Sequence, residues 1–169
     1  MRNPLATLGL AAATAAATAL TGAAAVSTLG AAGATPAPCA PIPQDRIDSA
    51  IDHIAPPLPG ARWQPTAHGG SVDCTLNWVK LDTPGGTGSS PVQVLLFDHQ
   101  KFAGTPTPKG DAFTEVLGSS APGQTTIRFK WLNPGDPNAA PTGQADVRFQ
   151  TMPQSPPRPL DPIPGPVAD

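Results

Sequence analysis

The spacing of apolar residues changes along this chain from a helical period to a strand period. Four apolar residues first follow the i, i+3, i+4, i+7 spacing of a helix with one buried face: Ile47, Ala50, Ile51 and Ile54. Pro43 suits the first turn of such a helix, and the prolines at 56–57 end the pattern. The spacing therefore predicts one helix at residues 44–55, whose polar side chains, including Arg46, form a solvated outer face.

Beyond these prolines, apolar and polar residues alternate, which is typical of strands with one buried face. The alternating segments are Val72–Trp78, Ile127–Trp131 and Val147–Phe149. Val92–Phe97 is apolar on both faces, so we expect this strand in the middle of a sheet. Trp63 marks a candidate short first strand.

The connections between these segments favour an antiparallel sheet. Residues 82–91 and 133–137 are rich in Pro, Gly, Asp and Asn and leave no room for a crossover helix. Phe113–Leu117 also fits a helical face, but its short length and the turn sequence at 121–123 favour a strand. The predicted fold class is α+β, with one N-terminal helix packed on a mainly antiparallel sheet of five or six strands.

The N-terminal region has the layout of a secretory signal. No charged residue lies between Arg2 and Asp45, and Leu5–Ala34 is rich in Ala, Thr and Gly. We predict a signal peptide at 1–34 that is removed, and an exported protein that is secreted or held in the cell envelope. The alternative is a retained anchor, since the uncharged run is long enough to cross a bilayer of about 30 Å. Membrane contact is expected only in that second case.

The composition leaves room for one modest domain, because the chain has 169 residues, of which 24 are Pro and 17 are Gly. We place this single α+β domain at 35–152. Residues 153–169 contain many prolines and no aromatic residue, which predicts a disordered tail.

Cys39 and Cys74 are the only cysteines. An even number in an exported chain predicts one disulfide, and closing a loop of about 36 residues stabilises a fold by roughly 3–4 kcal/mol. The spacing fits neither a CxxC redox motif nor a four-ligand zinc site. Cys39 is also a candidate for lipid attachment, but the residues before it, Pro36–Pro38, do not form a lipobox.

Charge and spacing exclude several kinds of partner. A formal net charge of -2 argues against the dense basic surface that nucleic acid requires, so no nucleic acid is expected. The three histidines lack metal-ligand spacing, and the glycine-rich loop at 85–90 lacks the Lys-Ser/Thr end of a phosphate-binding loop. We therefore expect no metal and no cofactor.

Two groups of residues are candidates for binding. Asp98 and His99 end the central strand; they are able to exchange a proton if they converge, but neighbours on a strand point to opposite faces, which favours a structural pair. Arg128, Lys130 and Arg148 alternate with apolar residues and form a row of cations for an anionic glycan or lipid headgroup. The alternative for this row is a solvated surface.

Four segments resemble the LppP/LprE family of mycobacterial and related actinobacterial envelope lipoproteins: residues 74–79, 86–91, 94–99 and 104–108. The resemblance covers roughly residues 39–149. It implies an exported protein of the cell envelope with no established enzymatic role. Members named as lipoproteins carry a lipobox, which this chain does not show.

The resulting functional hypothesis is a non-catalytic binding or structural protein of the envelope, with a lipid, a glycan or another protein as its partner. No catalytic residue is assigned. The alternative is a secreted hydrolase that uses Asp98 and His99 with a loop serine, Ser89 or Ser90, although the usual G-x-S-x-G elbow is absent.

Overall fold

A computed structural model describes residues 39–168, so the predicted signal peptide at 1–34 lies outside the described residues. The fold is mostly β. In chain order its elements are α1 (Gln44–Ile51), β1 (Gln64–Gly70), β2 (Leu76–Asp82), β3 (Val92–Asp98), β4 (Lys101–Gly104), β5 (Glu115–Gly118), β6 (Gln124–Trp131), β7 (Gly143–Met152), β8 (Ser155–Pro159) and a 3-10 helix (Gly165–Val167). Within 39–168, no helix has the length and apolar character needed to cross a membrane.

The strands form two antiparallel sheets of four strands each, β1-β2-β3-β4 and β5-β6-β7-β8. The prediction of an α+β fold with one sheet of five or six strands is therefore wrong. Alternation shows which side chains share a face of a strand, but it does not show which strands are neighbours. Strands such as β6 and β7 have the same pattern whether they extend the sheet of β3 or face it across a core.

Helix α1 packs on the outer face of the first sheet, where it covers one of two hydrophobic cores. This core contains Ile42, Ile47, Ala50, Ile51, Trp63, Val79, Leu81, Leu95 and Phe97. The helix ends at Ile51, four residues before the predicted end. Beyond it, backbone N–H groups donate to the carbonyl three residues earlier rather than four, as His53 N–H does to Ala50 O.

The second core lies between the two sheets and contains Leu76, Val94, Leu96, Ile127, Phe129, Val147, Phe149 and Val167. Strand β3 contributes to both cores, with Leu95 and Phe97 toward the helix and Val94 and Leu96 toward the second sheet. The prediction that this apolar strand lies in the middle of a sheet is confirmed, since β3 has β2 on one side and β4 on the other.

The prediction of a disordered C-terminal tail is also wrong. Strand β8 pairs with β7, and Val167 is only 3% exposed in the core between the sheets. Strand β8 is the last strand of its sheet, so one side of the strand has no neighbouring strand. Prolines are tolerated there, because a backbone position on the free side needs no N–H. Composition alone does not reveal this placement.

The predicted disulfide between Cys39 and Cys74 is confirmed. It fastens the segment before α1 to the turn before β2. The predicted strand at Val72–Trp78 begins only at Leu76, because Cys74 has a left-handed φ of 58° and its N–H donates to Ser71 O.

Candidate functional site

The predicted pair Asp98 and His99 lies at the end of β3, and the structure brings the two side chains together. His99 has a left-handed φ of 54°, so the alternation of the strand stops at Asp98. His99 Nδ1 lies 2.8 Å from Asp98 Oδ1, within hydrogen-bond distance. The pair is a strand-end contact on the surface, with the His99 side chain 72% exposed.

Asn77 holds the backbone at this end of β3. Its buried Nδ2 donates to His99 O at 2.6 Å and to Cys74 O at 3.0 Å, which ties the turn after β3 to the disulfide. Gly70 lies directly opposite on β1, and a Cβ at this position would collide with Asn77 Oδ1 and with the sulfur of Cys39. The turn that carries His99 is therefore built on a closely packed, covalently fastened base.

A groove lies between α1 and the turn that joins β3 to β4. It consists of two adjoining hollows of about 550 and 450 Å³ that share Arg46, Gln100 and Lys101. We call the two hollows together the Arg46–Lys101 groove. Asp98 and His99 line the first hollow. Arg46 Nη1 donates to Gln100 O at 2.9 Å, so the helix and the turn are bonded across the floor of the groove.

The two cations of this groove differ from most others in the described residues. An ion pair with Asp or Glu holds Arg62, Lys80, Arg128, Lys130 and Arg148. Within residues 39–168, Arg46 and Lys101 have no carboxylate within 4.0 Å and both are exposed, as are Lys109 and Arg158. Arg46 and Lys101 are the two that share a groove, where both cations are open to an anionic ligand.

The predicted row Arg128, Lys130 and Arg148 lies on the second sheet, away from Asp98 and His99. Each of the three is paired, to Asp146 at 2.7 Å, to Glu115 at 2.7 Å and to Asp161 at 2.8 Å. Hydrogen bonds from Arg128 keep the pKa of Asp146 below its ordinary value, and those from Arg148 lower the pKa of Asp161 to about 2. These carboxylates are therefore charged at neutral pH and balance the cations.

The serines of the hydrolase hypothesis lie far from His99. Ser89 and Ser90 precede β3 and His99 follows it, so the 7 residues of this strand separate them by roughly 20 Å. Ser90 Oγ instead accepts the Thr87 N–H at 2.8 Å. Among residues 39–168, no three side chains of His, Cys, Asp or Glu are grouped to hold a metal ion.

Sequence analysis did not find Arg46, Gln100 or Lys101. The helical period correctly placed Arg46 on the outer face of α1, but local spacing does not show which turn of the sheet that face lies beside. The contact joins residues 54 positions apart, so it depends on how the helix crosses the first sheet.

The family profile and the curated relatives that match this chain point to the same family. The profile of the LppP/LprE lipoprotein family matches residues 71–154. The chain is 30% identical over 105 residues to the putative lipoproteins LppP of Mycobacterium bovis and Mycobacterium tuberculosis, which is 62% of this chain and 59% of each relative. It thus spans less than two thirds of their length. No solved structure matches the chain.

Proposed function

Because this chain belongs to the LppP/LprE lipoprotein family, we propose that it acts at the cell envelope as a non-catalytic protein that binds the anionic groups of an envelope lipid or glycan. The observation that carries this proposal is the Arg46–Lys101 groove, where two cations line the same hollows and neither forms an ion pair among the described residues, although Asp45 and Asp98 also line the groove.

The chemistry of the two side chains suits phosphate or carboxylate. Arg46 uses one of the five N–H donors of its guanidinium on Gln100 O, and this bond orients the planar group. Lys101 adds an ammonium with three donors on a flexible stem. The bond to the turn fixes one cation before the ligand arrives, which lowers the entropy lost on binding.

The disulfide affects how such a protein meets a membrane. Cys39 and Cys74 are the only cysteines of the sequence, and both sulfurs are used in the bond between them. Neither sulfur is then available for a thioether-linked lipid. In this proposal, contact with a lipid surface comes from the charged groove rather than from an acyl chain on Cys39.

Vesicle binding tests the proposal. Wild-type protein is expected to co-sediment with vesicles of phosphatidylglycerol and phosphatidylcholine, and not with phosphatidylcholine alone. A cation near an anionic surface contributes about 1 kcal/mol, so R46A/K101A is expected to bind roughly 30-fold more weakly. Added salt weakens binding of the wild type, because it screens exposed charges.

The matched control is K109A/R158A, which also removes two exposed cations without a carboxylate partner in the described region, but outside the groove. Equal losses in the two double variants would point to net charge alone and contradict the groove. A soluble acidic polysaccharide added as competitor separates the two sources of anion: it displaces the protein from vesicles if the ligand is a glycan. Wild-type protein that binds neither probe contradicts the proposal.

A further inference from the structure

A second cleft opens at the other end of β3, beside Val92. Its volume is about 590 Å³, within the range of small-molecule sites of roughly 300–1,000 Å³. The first sheet contributes β1, β2 and the glycine-rich loop 83–91, and the second sheet contributes residues before β5 and the loop before β7. The cleft therefore lies where the two sheets meet, and the Arg46–Lys101 groove lies at the opposite end of the same strand.

The charges that line this cleft are balanced in pairs. Lys80 bonds to Asp82, and Lys130 Nζ lies 2.7 Å from Glu115 Oε1. A phosphate or carboxylate would have to compete with these carboxylates for both lysines. An uncharged polyhydroxyl ligand has no such competitor, because its hydroxyls donate to the carboxylates and accept from the ammonium groups.

Phe113 is the aromatic residue of this cleft. Four of the five phenylalanines belong to or pack against the two hydrophobic cores: Phe97, Phe102, Phe129 and Phe149. Phe113 belongs to neither core, is half-buried and lines the cleft. Its backbone has a left-handed φ of 59°, which is rare for a bulky residue and is retained mainly where the surrounding structure or a ligand site requires it.

Hydrogen bonds that involve hydroxyl groups hold the loops around Phe113. Ser90 Oγ accepts the Thr87 N–H at 2.8 Å, and Asn138 Nδ2 donates to Ser89 Oγ at 3.3 Å, which joins the loop before β3 to the loop before β7. The Thr83 hydroxyl donates to Pro91 O at 2.7 Å and closes the glycine-rich loop on itself. Hydrogen bonds within the protein therefore connect the walls of the cleft.

We infer that this cleft binds neutral sugar residues of a glycan, with a pyranose or furanose ring stacked on Phe113 and its hydroxyls bonded to the Lys80–Asp82 and Lys130–Glu115 pairs. The face of an aromatic ring carries partial negative charge, which attracts the polarised C–H groups of a sugar ring. The inference does not depend on the proposed function, because it concerns another site and an uncharged ligand.

Saturation-transfer NMR with mannotriose, maltotriose and arabinotriose tests this site. Irradiation of the aromatic protein protons is expected to transfer to the C–H protons of at least one of these probes with wild-type protein. The variant F113G removes the ring, and glycine accepts the left-handed φ without strain, which offsets part of the packing and entropy lost with the side chain, so this variant is expected to fold. Its affinity is expected to fall about tenfold or more, the usual effect of removing one aromatic stacking partner.

The matched control is L117A, which removes an exposed apolar side chain of β5 that does not line the cleft. Undiminished binding by F113G, or equal losses in F113G and L117A, would overturn the inference. So would wild-type protein that binds none of the three probes at millimolar concentration. R46A/K101A should bind the sugars like the wild type, which separates this result from that of the vesicle experiment.

Discussion

Asp73 shows how one exposed side chain joins the two sheets. Its carboxylate accepts hydrogen bonds from Ser71 Oγ at 2.5 Å, from Gly123 N at 2.8 Å and from Thr75 Oγ1 at 2.9 Å. Ser71 and Thr75 belong to the turn before β2, and Gly123 belongs to the turn before β6. These bonds hold the pKa of Asp73 well below its ordinary value, and the bond from Ser71 is the largest cause.

Replacing Asp73 by alanine is expected to lower the free energy of unfolding by about 1 kcal/mol at neutral pH, since hydrogen bonds to an exposed carboxylate are partly screened by water. The depressed pKa gives the sign of the pH effect. The contribution is present above the unfolded pKa of about 3.9 and is lost as pH falls below it. Urea denaturation at several pH values measures both effects.

The unfolding curves of wild type and D73A should therefore approach each other in acid. A difference that stays constant from neutral pH to pH 3 would contradict a role for the carboxylate charge. D45N is the control, because Asp45 is exposed in the first turn of α1 and its side chain accepts no hydrogen bond within the described residues.

Sequence reasoning placed Asp73 inside a strand, because the alternation of Val72–Trp78 is regular. The left-handed backbone at Cys74 interrupts that strand, and left-handed residues are usually signalled by Gly or Asn rather than by cysteine. No local pattern therefore marked the turn or its bond to Gly123.

At the scale of elements, the C-terminal segment is part of the fold. After β8, Asp161 accepts two hydrogen bonds from the guanidinium of Arg148 and one from its backbone N–H. The chain then returns over the core between the sheets, where Val167 is buried and Ile163 packs against it. A proline-rich sequence with few apolar residues thus closes one side of a hydrophobic core.

Replacing Val167 by alanine is expected to lower the free energy of unfolding by about 2 kcal/mol, because it removes two buried methyl groups and leaves a cavity. The matched control is V72A, since Val72 is 50% exposed and loses the same atoms in water. Thermal and urea unfolding of the two variants make the comparison. Equal, small effects would mean that the C-terminal segment is not packed as described.

Elements differed in how well local sequence predicted them. The helical period of Ile47, Ala50 and Ile51 and the apolar run of β3 were sufficient, because both signals come from residues close in the chain. The division into two sheets depends on where β5 goes after β4, and the turn residues between them fit either arrangement. Strand β8 was missed because proline content was taken as evidence against any strand.

For the whole molecule, the disulfide between Cys39 and Cys74 is the one covalent bond that joins distant parts of the described chain, and the number of cysteines was enough to predict it. The Arg46–Lys101 groove was not predictable in the same way, because it arises from the crossing of α1 over the sheet. Family resemblance did not supply it either, since the matched residues 71–154 exclude Arg46.

The free energy of unfolding of the double variant C39S/C74S is expected to be lower than that of the oxidised wild type by roughly 3–4 kcal/mol. The reason is that the unfolded chain regains the freedom of a loop of about 36 residues. Urea denaturation with and without reductant measures this difference. Reductant should shift the wild-type curve to that of the variant and leave the variant unchanged. Alkylation of either cysteine before reduction would contradict the pairing.

Strand β8 also determines where the second sheet stops. Three of its five residues, Pro156, Pro157 and Pro159, have no amide hydrogen, so its outer side has almost nothing to donate to another chain. With so few donors, this edge of the sheet offers little to a strand of another molecule. The same prolines that resemble an unfolded tail in the sequence thus leave this edge of the second sheet poor in donors for strand pairing.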